Sequence, residues 1–327
     1  MNEFPDIYFL PIWGNVYAEH DPGVVDRFFL NVPEGRVYYQ FMKRPIPDEL
    51  SYPGYYDTVT PYGFNGPLIL ECDPAAKTTL VQMYDQAFQE YCEQKKIIAE
   101  YIRFNPWLEN HRDFSETYSL NYNNYTLYTD LEVEDFFMQE FSSKIRNLIR
   151  KAIRMGVEVE FDSSGDQLPE FQRLYQMMTE KNPVSDYYQF DTTFLQNTFK
   201  MLKGKQFMLN ARYQNQIISS AIFLHHGNYL HYHLSANDPA YYSLNANSLI
   251  LCRAAEWGKR NGKKQFHLGG AFSDSLFAFK QQFTKRGKCD YYVGKKIRNR
   301  ELYDELVNAR GKSENPPNSG YFPLYRG

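Results

Sequence analysis

The 327-residue chain reads as a mixed α/β protein with mixed sheets, arranged as two α/β blocks. Three observations predict this class. The second half runs through two helical segments, three strand segments joined by short turns, and then helix, strand, helix, strand. The first half sets one long amphipathic helix among aromatic and β-branched strand segments. The length accommodates two domains of ordinary size, each with its own core.

In the first block, Val37 to Arg44 (VYYQFMKR) is a strand because aromatic and β-branched residues dominate it, and Pro45 and Pro47 stop it. Tyr52 to Leu70 (YPGYYDTVTPYGFNGPLIL) is an aromatic loop punctuated by Pro and Gly, running into an apolar strand. Such a loop either lines a site, with Asp57 and Tyr62 as its candidates, or packs its rings into the core. Asp73 and Pro74 open a helix as cap and first residue, and Leu80, Tyr84, Ala87, Phe88 and Tyr91 give that helix one buried face as far as Gln94. Ile97 to Phe104 is a further strand, and Thr117 to Thr129 holds one or two more.

Glu132 to Gly156 is helical, broken near Ser142-Ser143 where a serine caps the second piece, and stopped by Gly156. Its second piece sets Arg146, Arg150 and Arg154 four apart on one face and Ile145, Leu148, Ile149 and Ala152 on the other. A solvated basic face is the default reading of that pattern; a phosphate-binding face is the sharper one.

The second block has helices over Asp166–Lys181 and Thr192–Lys203 and strands over Gln206–Tyr213, Ile217–His226 and Tyr229–Ala236. Short turns at Gln214-Asn215 and Gly227-Asn228 make those strands antiparallel hairpins. A helix over Ala246–Arg260, a strand over Gln265–Leu268, a helix over Ser275–Phe283 and a strand over Cys289–Val293 complete it.

A net charge of −3 excludes binding of nucleic acid by bulk electrostatics. Between Glu256 and Arg300, however, twelve Lys and Arg stand against three acids, which predicts an anionic partner at this end. The four cysteines lie far apart with no C-x-x-C, so neither a zinc ribbon nor a disulfide framework is expected. No apolar run approaches the ~18 residues of a membrane span, and MNEFPDIYFL has no signal-peptide pattern. The expectation is a soluble, cytoplasmic protein without a membrane span.

Candidate site residues concentrate between Asn228 and Phe283. Asn245 and Asn247, just before and within the start of the central helix, stand where a Gly-rich phosphate cradle would otherwise lie; Asn and Ser side chains there are expected to cap the helix, leaving an anion-friendly N-terminus. His231 and His233 alternate with Tyr232, which predicts both imidazoles on one face of the strand and the phenol on the other. No carboxylate or third histidine completes a metal set, so no metal is expected. His267, Gly269 and Gly270 end the next strand, where the glycines admit a substrate or simply make a tight turn. Phe279-Lys280 follows on the last helix, with Lys280 beside the apolar stripe of Leu276, Phe279 and Phe283.

FSSKIRNLIRKAIRMGVEVE, YLHYHLSA, WGKRNGKK, HLGGA and above all LFAFKQQF resemble the FemABX family of peptidoglycan-bridge aminoacyltransferases and the related GNAT-like acyltransferases. DTVTPYGFNGPL in the first half is similar to a turn of the same relatives. The resemblance implies tandem GNAT-like subdomains: 1–155 with the connecting helix, 156–300, and a C-terminal helix and tail over 301–327. It also implies that the strands Tyr229–Ala236 and Gln265–Leu268 splay apart to admit donor and acceptor. Lys280 would stabilise charge at the reacting ester, with Phe279 and Tyr232 contacting substrate. Lys181, in Glu180-Lys181-Asn182, and Tyr187 approximate the family's Arg-Asn-aromatic stretch. A helical-hairpin insertion of longer members is missing.

The function expected is therefore N-acyl transfer to an amine of a cell-envelope precursor or amino sugar. Aminoacyl-tRNA is the first donor considered and acyl-CoA the second, with no tightly bound cofactor; a nucleotide-linked or lipid-linked envelope precursor is the partner. Acyl transfer needs a neutral amine, a positioned carbonyl and a charge for the developing oxyanion, which Lys280 supplies. His233, His267 and Asp57 are the candidate bases. The different-class alternative is a non-catalytic protein that binds an envelope glycan or nucleotide sugar.

Overall fold

The computed structural model describes residues 3–18, 20, 23–181, 190–271, 273–311 and 321–327, without the side chain of Lys181. The chain begins with α1 (Pro11–Tyr17), β1 (Val24–Val32), β2 (Gly35–Pro45), β3 (Tyr56–Val59), β4 (Leu68–Cys72), α2 (Lys77–Gln94), β5 (Ile97–Arg103) and β6 (Ser119–Asp130). There follow α3 (Phe136–Gln139), α4 (Ser143–Arg154), β7 (Glu158–Asp162), α5 (Leu168–Lys181), α6 (Thr192–Met201), β8 (Gln206–Tyr213), β9 (Gln216–His226) and β10 (Tyr229–Asn237). It ends with α7 (Ala246–Arg260), β11 (Gln265–Gly269), α8 (Asp274–Gln281), β12 (Lys288–Ile297) and α9 (Arg300–Ala309).

Two compact units emerge, one of Met1–Ile7 with Tyr125–Cys289 and the other of Tyr8–Asn124 with Asp290–Gly327. These differ from sequence boundaries at 155 and 300, and packing gives the reason. The apolar stripe of α4 (Ile145, Ile149, Ala152) is buried in one core with Leu249, Leu251 and Ala255 of α7, so the connecting helices join the second block. Tyr303, Leu306 and Val307 of α9, with Tyr325, close a core on Ile46, Ile98 and Ala99, so the tail returns to the first block.

In the unit containing α7 the strands lie in the order β7-β8-β9-β10-β11-β6. Only β10 and β11 are parallel. Gln214 and Asn215 both adopt positive φ (47° and 64°), the conformation that a two-residue hairpin loop needs to match strand twist. Ser142 caps α4, its Oγ accepting from Ile145 N at 3.2 Å, and Gly156 leaves the helix in the left-handed region at φ 84°. β7 escapes sequence reading because Glu158 and Glu160 make it look like a polar connection, although it pairs along β8 from Glu158 to Asp162.

In the other unit the order is β1-β2-β3-β5-β12, with β4 also on β2. Here β3 runs parallel to β5, joined to it through β4 and α2, whose Leu80, Tyr84, Phe88 and Cys92 are buried. The stretch expected as a loop contains β3, because Asp57, Thr58 and Val59 pair with both β2 and β5. β1 was not anticipated either; it alternates exposed and half-buried residues at the sheet edge. Asp73 caps a single 3-10 turn (Pro74–Ala76), and the α-helix begins only at Lys77. The expected one or two strands from Thr117 are the single β6.

Candidate functional site

β10 and β11 pair in parallel over three residues only, Tyr229↔Gln265, Leu230↔Phe266 and His231↔His267. Beyond His231, β10 stays with β9 as far as Asn237, whereas β11 ends at Gly269. The two strands part and leave a gap at their C-terminal ends. The divergence coincides with a bulge in β10 between Tyr232 and Leu234, where His233 is the extra residue. That bulge breaks strict alternation, so the expectation that His231 and His233 share a face fails as a spacing argument.

Lys280 reaches this gap from the last turn of α8. Ser273 caps the helix, its Oγ accepting from Leu276 N at 3.3 Å. The end of α8 is tethered to the start of α4: Ser142 N donates to Gln282 O at 2.8 Å and Ser142 Oγ to Gln282 Oε1 at 2.7 Å. Lys280 is 8% exposed, its Nζ donating to Gly270 O at 2.5 Å and lying 5.8 Å from the Tyr232 ring centroid. Burial draws its pKa down to about 8. An ammonium has three protons, so one bond to Gly270 leaves donors for a substrate oxygen.

The strand-end glycines differ in role. Gly269 sits at φ 73°, which side chains rarely adopt, while a Cβ there would meet Lys280 Nζ at an ordinary 3.6 Å. Gly269 is thus required by its backbone turn, and Gly270 supplies the carbonyl that holds Lys280. Tyr232 is half-buried, and its hydroxyl accepts from Asn247 Nδ2 at 3.1 Å, tying β10 to the first turn of α7. Burial raises the phenol's pKa, so it stays neutral.

Asn245 does not cap α7 with its side chain, contrary to expectation. It takes the left-handed conformation at φ 56° and turns Nδ2 back onto Ser243 O at 2.9 Å. It performs the backbone task usually given to glycine. Ser248 is buried, its N–H bonded to Asn245 O at 3.1 Å.

The candidate bases prove unequal. Desolvation, with a smaller push from His231, lowers the His233 pKa to about 3, so the imidazole is neutral and a weak proton acceptor. His267 is 1% exposed, within reach of Gln265 Oε1 at 3.2 Å and stacked on His231 at 5.4 Å, with its pKa also depressed by burial. His231 bonds the buried Asp6 at 2.8 Å. This imidazole pair belongs to the packed interior of its unit and not to the mouth of the gap. Asp57 lies in the other unit, fully buried, with Oδ1 accepting from Arg44 at 2.8 Å and Oδ2 from Tyr325 at 3.1 Å and Arg326 at 2.5 Å. Its lone pairs are taken, which removes it as a base. Tyr62 stacks on Tyr17 at 4.5 Å, and its carbonyl accepts from Trp13 Nε1 at 2.7 Å, so the aromatic loop is a packed connection. Phe279 packs edge-on against Phe283 at 5.3 Å. The side chain of Lys181, and Tyr187 altogether, lie outside the described residues.

Sequence reasoning missed Asp6, the role of the Gly270 carbonyl and the Ser142–Gln282 tether. Asp6 is 225 positions from His231 and carries no local signal. The tether had one visible half, the capping serine.

Residues 139–281 match the Acetyltransferase (GNAT) domain and residues 56–203 the FemAB family. A UDP-N-acetylmuramoylpentapeptide-lysine N(6)-alanyltransferase of Weissella viridescens is 26% identical over 180 residues, covering 51% of this chain. The chain spans about half the length (50%) of that curated relative. A crystal structure of FemX superposes with a TM-score of 0.71 at 14% identity, over 91% of this chain and 94% of that one. L-PGS from Bacillus licheniformis gives a TM-score of 0.53 at 14% identity, over 92% and 96%. At such identities the structural likenesses establish the fold. Two family models thus match overlapping parts of the chain, the FemAB family mainly in its first half and an acetyltransferase (GNAT) domain mainly in its second, and the chain shares the fold of FemX.

Proposed function

We propose that this protein is an aminoacyltransferase that moves an aminoacyl group from aminoacyl-tRNA to an amine of a peptidoglycan precursor. The observation that carries the reading is the gap between β10 and β11 with the buried Lys280 ammonium held at its mouth by Gly270 O. The activity of the Weissella viridescens relative, alanyl transfer to the lysine of UDP-N-acetylmuramoylpentapeptide, supports the acceptor class.

In this reading a neutral amine attacks the ester carbonyl, forming a C–N bond. The carbonyl oxygen becomes an oxyanion within reach of Lys280, whose charge is worth more in a desolvated site than in water. Collapse breaks the ester C–O bond, and the proton lost by the amine ends on the leaving ribose hydroxyl. His233, held neutral, contributes shape and not base strength. An activated ester needs little beyond orientation and charge stabilisation.

The match of residues 139–281 to an acetyltransferase domain favours a second reading, an acyl-CoA donor. Against it stands Asn245, whose side chain occupies the turn before α7 where a glycine would let a pyrophosphate approach. Transfer to UDP-linked precursor pentapeptide, measured separately from charged tRNA and from acyl-CoA, divides the two. Lys280→Ala should lower kcat about 10²- to 10³-fold with the fold retained. Full activity of that variant, or transfer from neither donor, refutes the assignment.

A further inference from the structure

No acidic residue occurs between Phe141 and Glu158, and α4 within that stretch carries Lys144, Arg146, Arg150, Lys151 and Arg154. Their fates differ. Arg146 is turned inward, its Nη1 donating to Phe141 O at 2.5 Å and Met138 O at 3.2 Å. Arg150 leans over the Phe137 ring at 5.4 Å. Lys144, Lys151 and Arg154, at i, i+7 and i+10, share one exposed stripe opposite the buried Ile145, Ile149 and Ala152. The side chains of Lys144 and Arg154 have no ion-pair or hydrogen-bond partner among the described residues.

Two contacts locate this stripe. At its start, Ser142 is bonded to Gln282 at the end of α8, two residues from Lys280, and exposed Lys285 and Arg286 follow directly. At its far end, Lys151 Nζ donates to Ser243 O at 3.2 Å, just ahead of α7. The stripe thus runs about 15 Å along α4, from the helix that carries Lys280 to the helix that carries Asn247. A pyrophosphate is too short to engage both ends. A nucleic-acid backbone, with a charge at every nucleotide, matches its length and sign.

We infer that Lys144, Lys151 and Arg154 of α4, continued by Lys285 and Arg286, form the docking surface for the phosphodiester backbone of an RNA stem whose 3′ end enters the gap beside Lys280. The inference rests on the aminoacyl-tRNA reading above and assigns the donor's body to one helix face. The charges position the RNA and carry no sequence information, since phosphate contacts fix register without reading bases.

The test uses the full chain and a fluorescent acceptor-stem RNA hairpin ending in CCA, with anisotropy read at about 50 and 200 mM salt. Lys151→Glu/Arg154→Glu should weaken binding at least about tenfold and reduce the salt slope by about 1.4–1.8, since each lost phosphate contact removes about 0.7–0.9. Lys144→Glu/Arg154→Glu, which alters no internal contact, should do the same with an unchanged melting temperature. Transfer from a small activated aminoacyl ester should be unchanged in both variants. Equal RNA affinity in wild type and both variants overturns the docking surface even if charged tRNA is the donor. Loss of binding to phosphatidylglycerol vesicles in the same variants, with no RNA binding by the wild type, overturns it in favour of a lipid surface. Transfer from acyl-CoA alone would instead refute the donor reading.

Discussion

Lys280 combines two properties that oppose each other. In the proposed reaction oxyanion stabilisation requires its charge, yet burial draws its pKa from 10.5 to about 8. The ammonium form predominates below that value and is lost as pH rises through it. The acceptor amine works the other way, since only its neutral form attacks. The rate should therefore climb with pH as the acceptor deprotonates and level off near pH 8, where Lys280 begins to lose its proton. Lys280→Arg keeps its charge far above this range, so the plateau should disappear although kcat falls from the changed geometry. A pH–rate profile of both proteins decides this; a plateau at the same pH in the arginine variant would mean that another group titrates. Tyr232 and His233 remain neutral across the range because burial disfavours their charged forms.

The elements around the gap depend on a few local devices. The bulge at His233 turns β10 away from β11, and α8 is held in position by the bonds of Gln282 to Ser142. Ser142 acts twice, as the cap of α4 and as the partner of α8. Ser142→Ala removes both hydroxyl bonds, to Ile145 N and to Gln282 Oε1, and keeps the backbone bond to Gln282 O, so it should lower unfolding stability by about 1–2 kcal/mol, a typical loss for a serine cap. Urea titration measures it, and a change below a few tenths of a kcal/mol would mean that the cap contributes nothing. Asn245 is a comparable device, a left-handed residue that opens α7 without a glycine.

Each of the two units has its own core, and the one containing Asp57 also buries a charged network. Arg298 donates to Glu100 at 2.6 Å and to Asp85 at 2.8 Å, Lys296 also bonds Asp85, and Tyr118 donates to Glu100 at 3.3 Å. The side chains of Arg298 and Glu100 are 1% and 0% exposed. Removing one partner leaves a charge without compensation in the interior, so Arg298→Met should destabilise this unit by about 3–5 kcal/mol. The double variant Arg298→Met/Glu100→Gln should recover most of that loss. Denaturant unfolding of wild type, single and double variants tests it, and equal losses in single and double would show that packing matters here and not charge. No helix of the described residues is long and apolar enough to cross a membrane.

Most of the second block was legible residue by residue. α7 and β8 begin and end where their periodicity places them, because apolar alternation and helical spacing are local signals. The Phe279-Lys280 pair was equally visible as a motif. The parting of β10 and β11 was expected from the family resemblance alone, because it depends on where a parallel pair stops pairing and on a bulge that spacing does not encode. Nor could local patterns reveal that Asp57 is saturated by Arg44, Tyr325 and Arg326, or that His231 meets Asp6, since those partners come from distant parts of the chain. The sequence by itself determined most elements of the second block, the caps at Ser142 and Asp73, and the basic stretch around Lys280. Only the tertiary structure decided which charged groups are buried in pairs and which remain available, because desolvation and partnership are properties of packing and not of neighbours in sequence.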